Sequence, residues 1–219
     1  MFIFFIFTDP RFYIFWITIS IFSTCIHEFA HVLTAYWQGD DTAKLMGRFT
    51  INPMVHMGPV SLCCLLLFGL CWGLCPVNPG KLKHSYSNAL VSFSGPFSNI
   101  LIALFFAVLY CFFSKYTDTS VIMNNFIYFC FIGAYSEFVI GLFNLIPVPP
   151  LDGSKILEYV CPQVKPAFIN MGQNGLFAVF LLFTIFKPLN DILWGSGIAF
   201  INAISFIYNY ITLSVLHLS

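Results

Sequence analysis

His27, Glu28 and His31 form a His-Glu-x-x-His cluster, in which two imidazole ligands lie four residues apart. Residues with this spacing project from one face of a helix, so both imidazoles can bind one metal ion. Zinc polarises a carbonyl group and lowers the pKa of water to about 7, and Glu28 is placed to accept the proton that this water loses. The pattern predicts a helix that carries hydrolytic metal chemistry but still needs a third protein ligand.

A chance match is the alternative interpretation of this short cluster. The placement of the three residues argues against it, because they interrupt an apolar stretch that runs over residues 12–37. Ionisable side chains in such a stretch are costly unless they are paired, and they mark functional sites.

Asp152 is the best candidate for the third ligand. It follows a proline-dense segment, and residues 147–153 cannot form regular helix because proline lacks a donor and restricts the residue before it. A carboxylate at a helix end can simply face water. Two histidines that already need an oxygen or nitrogen partner favour ligation instead.

The composition predicts that most of the surface faces lipid. The chain has 219 residues, of which 59% are hydrophobic and only 8% are charged, far below the quarter that a soluble domain carries. Five apolar stretches are long enough to cross a bilayer. One of them is interrupted by Glu137, and another is interrupted by the His-Glu-x-x-His cluster. They cover residues 12–37, 88–114, 119–151, 166–186 and 192–219.

The sequence therefore predicts an all-α polytopic membrane helical bundle, with about five spanning helices and one re-entrant segment over residues 59–75. We expect a single membrane-embedded domain over residues 1–219, with a core at 11–165 and C-terminal helices at 166–219. The N-terminus does not resemble a cleavable signal peptide. The net charge of zero gives no basic surface for nucleic acid. The eight cysteines lie mostly in apolar runs and indicate no disulfide framework.

The prediction of a re-entrant segment follows from the metal site, because residues that bind one metal ion must lie at the same depth in the membrane. His27 lies near the exit of its helix, and we expect Asp152 at the far end of a helix that begins near Thr119. The two helices must then run parallel, so one of the two intervening apolar segments cannot cross. In this topology six of the nine basic residues share the active-site side, which the positive-inside rule assigns to the cytoplasm. If residues 59–75 instead cross fully, the basic residues divide five against four and assign neither side.

These motifs resemble those of the site-2 protease family of intramembrane zinc metallopeptidases, peptidase family M50, in its compact bacterial branch without added domains. The resemblance rests on His27-Glu28-x-x-His31, Asn144-x-x-Pro147-x-Pro149-x-Leu151-Asp152-Gly153, Gly47-Arg48-x-Thr50-x-Asn52-Pro53-x-x-His56, Pro76-Val77-Asn78-Pro79 and Gly95-Pro96-x-x-Asn99.

The resemblance implies one Zn²⁺ per chain, held by His27, His31 and Asp152, with Glu28 as general base. It implies a bacterial cytoplasmic membrane protein that cleaves a peptide bond in or beside a transmembrane segment of a protein or peptide in the lipid bilayer. Extended backbone at Asn52-Pro53 or over residues 76–79 can pair with an unwound substrate strand. The oligomeric state is not predicted.

Other polar residues keep two interpretations each. Asn144 either contacts the substrate or the developing oxyanion, or it caps a broken helix. Glu137, at a position that is often Asn in the family, either bonds within the bundle or lines a water path to the metal. Three further histidines are expected in loops or interfaces rather than as ligands: His56, His84 and His217.

Two other functions fit parts of the pattern. A metal-ion transporter also uses intramembrane His, Glu and Asp, but it favours broken helices in two corresponding halves of the chain. A catalytically inactive homologue that binds membrane helices would not need Glu28.

Overall fold

A computed structural model describes residues 2–116, 120–171, 175 and 187–216. Within these ranges the chain is helical and contains no strand. The main helices are α1 (Pro10–Trp37), α2 (Gly58–Phe68), α3 (Ser87–Phe113), α4 (Val121–Asn144), α5 (Asp152–Val160) and α6 (Lys187–Leu216). Short helical turns occupy Phe2–Phe4, Phe5–Thr8, Thr42–Leu45, Pro53–His56, Pro79–Lys81, Ser114–Tyr116, Pro162–Val164 and Lys165–Met171.

Four of these helices are long and apolar enough to cross a membrane, which confirms the all-α polytopic bundle. The candidate spans are Pro10–Trp37, Ser87–Tyr116, Val121–Asn144 and Asp191–Thr212. The predicted span at 166–186 lies largely outside the described residues. All eight cysteines are free.

Local signals fix where the two spanning helices of the site begin. The Asp9 side chain accepts from the Phe12 amide, and Pro10 occupies the first turn of α1, where its missing N–H costs nothing. Ser120 caps α4 in the same way by accepting from the Met123 amide. Each helix therefore starts at a polar cap and continues through an apolar run.

Helices α1 and α4 run parallel, as predicted. Near the starts of the two helices Arg11 donates to Asn125, and further along them Ser23 donates to Glu137. The residues of each pair are 114 positions apart in the sequence, and this constant separation means that the two helices run in the same direction. Helix α3 runs antiparallel to them, because His27 meets Asn99 whereas His31 meets Val91. The site is therefore built where three helices pack together.

Residues 59–75 enter the bundle and return, as predicted for a re-entrant segment. Helix α2 has 11 residues, about 16 Å, and ends at Gly69 in the left-handed conformation that favours glycine. Trp16 donates to the Gly69 carbonyl at this tip. The chain then runs back without helix until the Leu74 amide reaches the His56 carbonyl, just before α2 begins.

One expectation about the third ligand was wrong. Asp152 is not at the far end of the helix that begins near residue 119, because α4 already ends at Asn144. Three prolines prevent the helix from continuing, and Asp152 instead opens the separate helix α5. The parallel arrangement survives because residues 145–151 form a compact connection rather than more helix.

Candidate metal centre

The His-Glu-x-x-His cluster lies in the second half of α1 and faces the bundle interior. His27, Glu28 and His31 are 8%, 7% and 6% exposed, although the helix around them is apolar. The four-residue spacing places the two imidazoles edge to face, and their Nε2 atoms are 3.0 Å apart. The predicted ligand face of the helix is therefore present in the fold.

The proline-dense segment brings Asp152 to the same point. Its Oδ2 atom lies 3.2 Å from His27 Nε2 and 3.4 Å from His31 Nε2. The turn is compact: a Cβ atom at Gly153 would overlap the Leu145 carbonyl. Within the described residues, His27, His31 and Asp152 are the one group of three or more His, Cys, Asp or Glu side chains close enough to share a metal ion.

The outer nitrogens of both imidazoles are held by acceptors. His27 Nδ1 lies 2.5 Å from Asn99 Oδ1, and His31 Nδ1 lies 2.7 Å from the Val91 carbonyl. Both partners can only accept, so each Nδ1 carries the proton and each neutral ring offers a lone pair at Nε2.

This donor set fits a zinc ion. Two imidazole lone pairs and one carboxylate oxygen face one another at 3.0–3.4 Å, an arrangement that is repulsive until a cation lies between them. The Asp152 carboxylate supplies the oxygen ligand of this set.

Gly95 on α3 allows the bundle to close over the two histidines. A Cβ atom at this residue would overlap His31 Nε2 and approach His27 Cε1. The Gly95-Pro96-x-x-Asn99 motif thus serves the site twice, by a close approach at Gly95 and by a hydrogen bond from His27 to Asn99.

The returning arm of the re-entrant segment lies over Glu28. A Cβ atom at Gly73 would overlap the Glu28 side chain, so the backbone passes directly against the carboxylate. This contact was not predicted. The one sequence feature that points to it is the glycine between the two cysteines of Cys71-Trp72-Gly73-Leu74-Cys75.

Three residues hold this arm, here called the 70–78 segment, from one side. Ser61 Oγ donates to the Trp72 carbonyl at 2.7 Å and accepts from the Trp72 amide at 2.9 Å. The His56 carbonyl accepts from the Leu74 amide, and Arg48 Nη1 donates to the Leu74 carbonyl at 2.5 Å. The Gly47-Arg48 motif and His56 therefore act as a scaffold for the segment.

The remaining predicted site residues have the following positions. Asn144 ends α4, and its amide donates to the Ile140 carbonyl at 3.2 Å, so its contact with substrate stays a prediction. His56 is buried and bonds the Thr50 carbonyl, whereas His84 is exposed and stacks on Tyr86. Neither belongs to the metal cluster. His217 lies outside the described residues.

The two predicted substrate-pairing candidates differ in the structure. Asn52 is extended but accepts from the Met54 amide and caps the Pro53–His56 turn, so this candidate leads directly into helical backbone. Residues 76–78 of the other candidate belong to the non-helical 70–78 segment, and Asn78, also extended, caps the Pro79–Lys81 turn by accepting from the Gly80 amide. Pairing with substrate stays a prediction.

Comparisons with known proteins show the family of the chain. The model of peptidase family M50 matches residues 115–186. "Putative zinc metalloprotease YwhC" of Bacillus subtilis is 34% identical over 178 residues, which cover 80% of this chain and 81% of the relative. "Putative zinc metalloprotease Rip2" of Mycobacterium tuberculosis strain H37Rv is 29% identical over 190 residues, covering 81% of this chain and 68% of the relative.

No solved structure matches the chain significantly. The extended similarity to YwhC and the family match are nevertheless sufficient for assignment, and the four apolar helices agree with a membrane location. The chain belongs to peptidase family M50, the site-2 protease family, and is an integral membrane zinc metalloprotease.

Proposed function

We propose that this chain is an intramembrane protease that hydrolyses peptide bonds in or beside transmembrane segments of membrane proteins. The observation that carries the proposal is the convergence of His27, His31 and the half-buried Asp152 beside Glu28, among helices long enough to span a membrane. In this proposal the three residues hold one zinc ion per chain, which when bound polarises the scissile carbonyl and lowers the pKa of the attacking water.

Glu28 acts as the general base. It follows His27 directly on α1, so its carboxylate is offset from the ligand face yet remains next to the site. It takes the proton that the attacking water loses and returns it to the amine that leaves. Burial of Glu28 beneath Gly73 excludes bulk water from this exchange.

The 70–78 segment offers a surface for an unwound substrate. Trp72 and Leu74 use their main-chain groups on the scaffold side, towards Ser61 and His56. In an extended chain the main-chain groups of successive residues point to opposite sides, so those of Trp72 and Leu74 share one side and those of Gly73 and Cys75 share the other. Gly73 and Cys75 therefore turn their amides away from the scaffold, and a substrate strand can pair with them by β-augmentation.

This pairing stabilises an unwound substrate inside the bilayer. A substrate helix hides its carbonyls, and after local unwinding its main-chain groups need new partners in a medium that supplies few. Pairing beside Glu28 satisfies those groups at the position where hydrolysis takes place. We propose further that the active site faces the cytoplasmic side of a bacterial membrane, as the distribution of basic residues indicates.

Cleavage of a panel of transmembrane peptides by the purified protein tests the function. We expect cleavage by the wild type, loss of cleavage with Glu28→Gln or a chelator, and recovery when zinc is returned after chelation. Glu158→Gln is the matched control, because Glu158 pairs with Lys155 on α5. Zinc binding without cleavage across a broad panel would favour the inactive homologue.

A further inference from the structure

Glu137 is a carboxylic acid at the centre of the apolar bundle. It lies on α4 and is 0% exposed. Its Oε2 atom accepts from Ser23 Oγ on α1 and, at 2.8 Å, from Asn99 Nδ2 on α3. A carboxyl group is costly at such a position unless it has a role. Its location on α4, joined to α1 and α3, places it next to the metal centre without touching a ligand.

The hydrogen bonds fix the orientation of the Asn99 amide. Asn99 Nδ2 lies 2.8 Å from both Glu137 Oε2 and Ser23 Oγ, and it can only donate to them. Its Oδ1 atom must then face the other way, towards His27 Nδ1. A flipped amide would set N–H against N–H at His27 and leave Glu137 without this donor.

We propose that Glu137 is a positioning residue that acts on the metal centre through Asn99. By holding the amide, it fixes His27 with the proton on Nδ1 and with Nε2 aimed at Asp152. The inference rests on the proposed role of His27 as a zinc ligand. Hydrogen-bond partners of this kind orient metal-binding histidines, and their loss typically costs about 10- to 100-fold in metal affinity.

The contacts of Glu137 also predict which substitution it tolerates. One oxygen, Oε2, receives both donors, whereas Oε1 has no hydrogen-bond partner within the described residues. In Glu137→Gln the amide oxygen can take the place of Oε2, and the amide nitrogen can take the place of Oε1. Glu137→Met fills the same space but accepts neither donor.

Zinc affinity of the purified full chain, measured by competition with a chromophoric chelator, tests the proposal. We expect Glu137→Met to lower zinc affinity about 10- to 100-fold and Glu137→Gln to recover most of the loss. The matched control is Ser136→Ala: Ser136 is the neighbouring buried residue, and its hydroxyl donates to the Ile132 carbonyl of its own helix. Its zinc affinity should equal that of the wild type.

A double-mutant cycle separates positioning from simple support of the fold. If Glu137 acts through Asn99, the Glu137→Met and Asn99→Leu changes together should lower zinc affinity no more than Asn99→Leu alone. Additive losses, or a folded Glu137→Met protein with wild-type zinc affinity, would overturn the inference. Absence of zinc binding by the wild type would instead overturn the proposed function and this inference together.

Glu137→Leu provides a second variant if Glu137→Met does not fold. It also removes the Glu137 acceptor of the Asn99 amide without touching His27. A zinc affinity reduced about 10-fold or more supports the proposal, and an unchanged affinity contradicts it.

Discussion

The backbone of Gly73 lies against the side chain of Glu28, so closely that a Cβ atom at residue 73 would overlap the Cγ, Cδ and Oε1 atoms of the glutamate. Two segments that are 45 residues apart in the sequence therefore meet at the proposed general base. The contact depends on the absence of a side chain, and it makes Gly73 a sensitive position for catalysis.

Gly73→Ala should lower kcat about 100-fold, because the new methyl group displaces Glu28 or the 70–78 segment by a distance that disrupts proton transfer. Zinc content should stay at the wild-type level, since the three ligands are untouched. Peptide cleavage and metal analysis on the same preparation measure both quantities. Gly80→Ala is the control, because its Cβ atom would meet only Asn78 Oδ1, at 3.3 Å. Wild-type kcat in Gly73→Ala would contradict the contact.

The sequence was sufficient to predict the three proposed ligands as one cluster. The spacing of His27 and His31 defines a helix face, and Asp152 is the carboxylate that a proline-dense break in an apolar chain exposes. Patterns of this kind are local, and local geometry follows from residue types. Because ligands of one metal ion must lie at one depth in the membrane, the parallel helices and the re-entrant segment could be predicted as well.

Contacts between distant segments could not be predicted in the same way. The approach of Gly73 to Glu28 and the anchoring of Trp72 by Ser61 arise only when the chain folds back at Gly69. Asp152 was placed on the wrong helix because the end of α4 at Asn144 precedes the first proline of the segment. Hydropathy does not resolve a helix end within a long apolar stretch.

Gly95→Ala should abolish zinc binding in a folded chain. The added Cβ atom would overlap His31 Nε2 and crowd His27 Cε1, so α3 must move away or the imidazoles must rotate out of the cluster. Metal content after purification in detergent measures the effect. Gly195→Ala, also within a helix, has open space at its Cβ position and should retain zinc. Normal zinc content in Gly95→Ala would argue against this close approach.

Ser61→Ala should lower the free energy of unfolding by about 2 kcal/mol, because the Trp72 amide and carbonyl both lose their partner at Ser61 Oγ. The residue is 0% exposed, so water cannot replace the hydroxyl easily. Reversible denaturation in mixed micelles measures the change, with the exposed Ser85→Ala as control. Equal stability of the two variants would show that the hydroxyl does not anchor the 70–78 segment.

Cys75→Pro should lower kcat/KM about 2- to 10-fold for peptide substrates, as expected when one hydrogen bond to an unwound strand is lost. Proline removes the Cys75 amide proton, and Pro76 already restricts residue 75 to extended backbone, so the fold should tolerate the change. Cys75→Ala keeps the amide and is the matched control, since it removes the same thiol. A fall in kcat/KM that is equal in the two variants would assign the effect to the side chain, and the pairing of substrate with this edge would then be wrong.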